Sequence, residues 1–265
     1  MPEGDILART ARTLDQALTG TPLVRAELRW PSAAQVNLVD RTVRVVRSYG
    51  KHLFMDFDDD RTLHTHLRME GSWRLARTGS PGAGGRGGFV RAVLGTAAWT
   101  AVGDRLGMLD VVPTRDAGAL IAHLGPDILA PGFPVDGLPE ALARFGDRGD
   151  VPVGEVLLDQ RVVAGIGTIY MAESLFARRI WPWVPARAVE DPASLLMTAR
   201  ALMERSVQSA TPTVTGEGGR GLTTWVHGRS GRPCRRCGTP VAVGEVRQAP
   251  MERPAFYCPS CQRAA

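Results

Sequence analysis

Apolar residues recur over the first twenty positions at helical spacing. Leu7, Ala11, Leu14 and Leu18 stand at i, i+4, i+7 and i+11, which predicts an amphipathic helix over 5–19 that Gly20 ends. From about Leu23 to Val112 the pattern changes to short apolar runs and alternation. Thr42–Val46, His52–Phe57, Thr62–Leu67, Arg91–Leu94 and Ala98–Val102 read as strands, with turns at Ser48-Tyr49-Gly50 and Asp58-Asp59-Asp60. Strands this short with turns this close predict an antiparallel β-sandwich. Residues 79–88, six of them glycine, read as an open loop, and 125–134, with three prolines, as part of a linker.

Helical spacing then returns. Pro139 opens a short helix to about Phe145, and 155–162 and 169–178 flank a Gly165-Ile166-Gly167 break. Asp191-Pro192, an N-cap followed by a proline at the first helical position, opens a helix to about Gln208. Residues 211–222 are rich in Gly and Thr and are expected to be exposed. The chain therefore reads as an α+β multidomain protein: an N-terminal helix with a β-sandwich over 1–123, a linker over 124–134, a helical domain over 135–228 and a cysteine-bearing module over 229–265.

Composition narrows the function classes. With 265 residues, 44% hydrophobic and 22% charged, the chain can build proper cores and is too apolar for wholesale disorder. No run approaches the ~18 uninterrupted apolar residues of a membrane span. Met-Pro-Glu-Gly-Asp at the start lacks the basic-then-apolar order of a secretory signal, so a cytoplasmic protein without a membrane partner is expected. The formal charge is +5, and 31 of the 32 basic residues are arginine, Lys51 being the single lysine. That balance suits a protein that seeks anions.

All four cysteines lie near the C-terminus, as Cys234-x2-Cys237 and Cys258-x2-Cys261 separated by 20 residues. Two disulfides are the alternative, but this spacing and compartment favour one tetrahedral zinc site, with room for a β-hairpin between the knuckles. Four thiolates leave no open position for a reacting water, so the site reads as structural. Around it, Arg229, Arg232, Arg235, Arg236, Arg247 and Arg253 face only Glu245 and Glu252, which makes either a phosphate grip or simply a solvated basic face. The Gly165-Ile166-Gly167 break offers a second anion site, through free N–H groups of the helix beginning near Thr168; it can equally be plain turn geometry.

The N-terminus is the third candidate. Removal of Met1 would expose the secondary amine of Pro2, with Glu3 beside it. An α-amine titrates about 2.4 units below a lysine, so far more of it is unprotonated near neutrality, and it can attack a sugar carbon to form an iminium while Glu3 moves protons. An ordinary start methionine followed by Pro-Glu is the plain alternative.

Taken in order, the motifs become specific. Met1-Pro2-Glu3-Gly4, Tyr49-Gly50-Lys51, Leu157-Leu158-Asp159-Gln160 with Ala164-Gly165-Ile166-Gly167, and Arg253-Pro254-Ala255-Phe256-Tyr257-Cys258-Pro259-Ser260-Cys261-Gln262 span residues 1–262. The chain resembles the formamidopyrimidine-DNA glycosylase / endonuclease VIII family, and Met-Pro-Glu-Gly-Asp with His66-Leu67-Arg68-Met69-Glu70-Gly71-Ser72-Trp73 is similar to its endonuclease VIII-like branch. The resemblance implies a helix–two-turn–helix followed by a zinc-finger hairpin, and a monomeric DNA glycosylase with AP lyase activity on oxidised bases, pyrimidines in this branch. It implies Pro2 as nucleophile, Glu3 as acid/base, Lys51 as the lysine beside the lesion and Arg253 as the finger arginine on the flanking phosphates. It also implies a backbone clamp at Gly167 and Thr168, and gap filling by Arg68, Met69 and Glu70; Met69 in a sheet core is the alternative. The rival function is a non-catalytic protein that binds damaged DNA on the same scaffold. Three features depart from the family pattern: Thr168 stands where Asn is usual, Ile6 where many members have a further Glu, and Met1 acylates Pro2 if retained.

Overall fold

The computed structural model describes residues 2–219 and 221–263, in two compact units, one of Pro2 with residues 6–123 and one of residues 124–263 with Glu3–Asp5. Met1, whose removal the sequence makes relevant, lies outside the described residues.

The first unit is built on α1 (Gly4–Leu18), β1 (Arg25–Leu28), β2 (Val43–Tyr49), β3 (His52–Phe57), β4 (Arg61–His66), β5 (Ser72–Arg77), β6 (Val90–Gly95), β7 (Trp99–Asp104) and β8 (Met108–Pro113). The strands form two antiparallel four-stranded sheets, ordered β2-β3-β4-β8 and β1-β6-β7-β5. Their inner faces share one core, in which Leu53, Met55, Phe57 and Leu63 meet Ala92, Leu94 and Ala101 together with Leu7, Leu14 and Leu18 of α1. The sandwich and the first helix are as the pattern predicts. The strands that the pattern does not reveal, β1, β5 and β8, are all sheet edges. No residue of β5 is fully buried, so no alternation marks it.

The opposite face of the β2-β3-β4-β8 sheet carries His52, Phe54 and Asp56 of β3, paired in register with His66, His64 and Thr62 of β4. A two-residue turn joins β2 to β3, with Gly50 at φ 55 and Lys51 beside it.

The second unit packs α2 (Leu138–Gly146), α3 (Val153–Leu158), α4 (Thr168–Arg178) and α5 (Pro192–Gln208) around Val156, Leu157, Ile166, Met171, Leu175, Leu195, Ala199 and Met203. Asp191 caps α5 by accepting the Ser194 N–H at 2.9 Å. α3 stops at Leu158, four residues before the expected end, where Asp159 turns extended and its carboxylate accepts the Arg161 N–H. The segment expected as a linker, 124–134, is not a free tether. Ile128 and Phe133 are buried in this core, and Arg200 donates to the carbonyls of Ile128 and Ala130 at 2.5 and 2.8 Å. A hairpin of β9 (Ala242–Val246) and β10 (Arg253–Tyr257) follows, between the two cysteine pairs. Among the described residues no helix is long and apolar enough to cross a membrane.

Candidate functional site

The N-terminal residues are held to the helical unit by a carboxylate. Glu3 is 1% exposed; its Oε2 accepts the Gly167 N–H at 2.8 Å and Oε1 the Ile169 N–H at 2.7 Å, while the Tyr170 N–H approaches at 3.4 Å. These are the unpaired amides at the start of α4, the position of positive partial charge on a helix. The amides expected to face a phosphate there thus donate to the chain's own third residue. Gly4 adds a backbone bond to the Gly165 carbonyl at 3.0 Å. The glycines of the break have separate reasons: Gly165 sits at φ 111, and a Cβ on Gly167 would overlap the Glu3 carboxylate. Gln160 sets the loop from inside, donating to Leu158 and Ile166 carbonyls and accepting the Gly165 N–H at 3.0 Å. Thr168 is half-buried as the first residue of α4.

Asp5 adds a second anchor. Its Oδ2, buried, accepts from Tyr170 Oη at 2.7 Å and Ser206 Oγ at 2.6 Å. Burial, and then the Asp5 carboxylate, push the Tyr170 phenol well above its ordinary range, so it remains a donor. Pro2 is half-buried at the open end of this anchored segment. Farther along α4, Glu173 is fully buried and accepts three backbone amides, from Trp225, Val226 and His227, at 2.8, 2.9 and 2.7 Å. Burial raises its proton affinity and the three amides oppose that rise.

In the sandwich unit, Lys51 is half-buried on the β2–β3 turn. Arg68, Met69 and Glu70 form the turn after β4, with Met69 65% exposed and so clear of the sheet core. Arg68 is at φ 51, and its amide donates to His66 Nδ1 at 2.8 Å. Glu70 pairs with Arg105 at 2.7 Å, and Arg105 stacks over Phe89. Behind the turn His52 Nδ1 lies 2.8 Å from His64 Nε2, and His52 meets His66 edge-on with ring centroids 4.9 Å apart. Burial first, with the neighbouring cations and imidazoles after it, pushes His52 down to about 3 and His66 down to about 4. His64 is lowered by burial, against the pull of Asp110 3.7 Å away.

Around the hairpin of the second unit the Sγ atoms of Cys234, Cys237, Cys258 and Cys261 all lie within 4.8 Å of one another, so the four cysteines are placed to bind one metal ion. A tetrahedral thiolate site with bonds of about 2.3 Å puts sulfurs about 3.8 Å apart, and the chemistry of the donor set fits. Arg253 opens β10, and its guanidinium donates to the carbonyls of Met251 and Glu252, which fixes its direction.

Sequence reasoning singled out the cysteines and the anchored N-terminus, but not Asp5 with Tyr170 and Ser206, Glu173, or the histidine array. The only available signal was His64-x-His66, which puts two imidazoles on one face of a strand.

Comparison with known proteins gives two family-model matches: the formamidopyrimidine-DNA glycosylase N-terminal domain over residues 1–102 and the formamidopyrimidine-DNA glycosylase H2TH domain over 124–216. A protein of Streptomyces coelicolor named probable endonuclease 8 2 is 42% identical, the alignment covering 99% of this chain and 94% of that protein. The DNA-(apurinic or apyrimidinic site) lyase Nei2 of Mycolicibacterium smegmatis is 38% identical over the full length of both. Among solved structures, the Lactococcus lactis Fpg bound to DNA containing an abasic site matches with a TM-score of 0.82 at 23% identity, over 99% of this chain and 100% of that one, a likeness of fold.

Proposed function

The chain belongs to the formamidopyrimidine-DNA glycosylase / endonuclease VIII family, and from that premise we propose that it is a bifunctional DNA glycosylase and AP lyase that removes oxidised bases, pyrimidines above all, from cellular DNA as a monomer. The observation that carries the reading is the buried anchor at the N-terminus: Glu3 and Asp5 are both buried and hydrogen-bonded to α4 and α5, which fixes the residue next to Pro2.

The reaction follows from the groups available. The damaged nucleotide swings out of the stack, at a cost of a few kcal/mol that a damaged pair reduces. With Met1 removed, the Pro2 nitrogen attacks C1′; the base leaves with a proton relayed by Glu3, and an iminium joins Pro2 to the opened sugar. The iminium acidifies C2′, so elimination breaks the 3′ C–O bond and then the 5′ C–O bond. Lys51 and Arg253 grip the phosphates beside the flipped nucleotide, the guanidinium of Arg253 being already aimed by its own turn. The hydroxyl of Thr168 adds one donor where Asn would offer two. Gly167 serves by leaving room for Glu3. Arg68 and Met69 fill the gap left in the duplex. Cys234, Cys237, Cys258 and Cys261 hold one structural zinc ion, which supplies cross-linking of the hairpin and no reacting ligand position.

The test is covalent trapping: protein shown by mass spectrometry to lack Met1 is mixed with DNA bearing an abasic site and reduced with borohydride. An adduct on the N-terminal peptide is expected. Its absence under those conditions sinks the lyase reading and leaves a damage-binding protein. Lys51→Arg keeps the charge but removes the only amine besides that of Pro2, and trapping is expected to survive it with lower activity. Loss of trapping with DNA binding intact would make Lys51 the nucleophile.

A further inference from the structure

Met69 stands 65% exposed on a turn that is fixed from every side. Arg68 adopts φ 51, a left-handed conformation that costs a non-glycine residue energy and needs a partner to hold it. That partner is His66: its Nδ1 accepts the N–H of Arg68, two residues on, at 2.8 Å. An Asn or Asp side chain makes the same side-chain-to-i+2 bond in an Asx-turn, so the imidazole stands in for an amide oxygen. The turn closes through Gly71 N–H to the Leu67 carbonyl at 2.9 Å, and Gly107 N–H donates to the His66 carbonyl at 2.9 Å. A Cβ on Gly107 would overlap the Arg68 side chain, so that side chain lies flat over the β7–β8 turn. Arg105, itself at φ 50, holds Glu70 on the far side.

We propose that His66 is the positioning residue of this turn: by accepting the Arg68 amide it sets, before any DNA arrives, the conformation that displays Met69. The proposal rests on the reading of Met69 as the residue that fills the duplex gap. His52 pairs with His66 in the β3–β4 register, and Lys51 directly precedes His52.

The acceptor role requires an Nδ1 without a proton. Lys51, Arg68 and His64 face His66, His123 and His64 face His52, and Asp110 faces His64. Burial and the cations keep His66 neutral, and the one carboxylate that acts on these rings, Asp110, acts on His64.

The experiment compares His66→Ala, His66→Asn, Met69→Ala and the double variant His66→Ala/Met69→Ala. Amide exchange over residues 68–71 of the DNA-free protein is expected to quicken about five- to tenfold in His66→Ala, the loss of one hydrogen bond. It should return to the wild-type rate in His66→Asn, whose side chain restores the acceptor but not the ring. Single-turnover base excision from duplex DNA should fall by a similar factor in His66→Ala, recover in His66→Asn, and be no slower in the double variant than in Met69→Ala. Unchanged exchange in His66→Ala, or a folded His66→Asn that fails to restore it, overturns the proposal. If Met69→Ala excises at the wild-type rate, the gap-filling reading falls instead, and exchange alone then decides the role of His66.

Discussion

A carboxylate in a protein interior is only as stable as its donors, and three here are satisfied by partners far along the chain. Glu3 takes amides of residues 167 and 169, Asp5 the hydroxyls of Tyr170 and Ser206, and Glu173 the amides of residues 225–227. Removing one member leaves the others buried and short of a bond. Tyr170→Phe is expected to cost about 1 kcal/mol, since Asp5 keeps Ser206; Glu173→Ala strands three amides and should cost roughly 3 kcal/mol or more. Denaturant unfolding followed by tryptophan fluorescence checks both, and a Glu173→Ala as stable as the parent would refute the reading of its bonds. Arg253 is a different case, a surface cation aimed by two carbonyls. Arg253→Ala should weaken DNA binding for all sequences alike and reduce the slope of log K against log salt by about 1. At this scale the cysteines were legible because ligand spacing is local; the partners of Glu3 and Asp5 were not, because nothing near residue 3 or 5 announces a bond to residue 167 or 206.

Elements were legible where one face is wet and the other dry. Helix α1, strand β3 and helix α5 fall where the pattern puts them, the last because Asp191-Pro192 supplies both a cap and a pre-set φ. Strand β5 escaped because it lacks a dry face, and 124–134 read as a linker because its prolines hide three buried apolar residues, Leu124, Ile128 and Phe133. The β9–β10 hairpin has strands of five residues each, and its buried Val246 and Ala255, with Cys234 and Cys258, form no core of their own but join the one built by α3–α5. A hairpin of that size is marginal without a cross-link. Stripping the metal with a chelator should therefore raise amide exchange over residues 229–263 while leaving α2–α5 and the sandwich protected. Exchange that stays slow in the stripped hairpin would mean that packing alone holds it.

At the scale of the whole molecule, acidification is set by the histidines. His52 and His66 lie near 3 and 4 in the folded state against 6.5 when unfolded, and His64 is also lowered. Between these limits the unfolded chain binds more protons than the native one, so stability is fully present above about pH 6.5 and falls as the pH drops toward 4. Thermal unfolding across pH 4–8 should show that slope, and replacing His52 and His64 together by Gln should flatten it. An unaltered slope would assign it to the remaining lowered groups, His66 and His227, or to carboxylates. The charge balance was legible at this scale, since it needs only counting. The array that governs the acid response was not, because it depends on strand register.

The Glu3 anchor also has a consequence for biosynthesis. The bond between Glu3 and Gly167 spans 164 residues, and that between Asp5 and Ser206 spans 201. While the chain is still on the ribosome, the first residues to emerge have no partners, because the helices that bury them have not been made. The start of the polypeptide thus stays open to processing enzymes through most of translation and closes only when α4 and α5 fold. The trimming of the initiator methionine that the proposed reaction requires would fall in that interval, which would make maturation of the amine a matter of timing as much as of sequence.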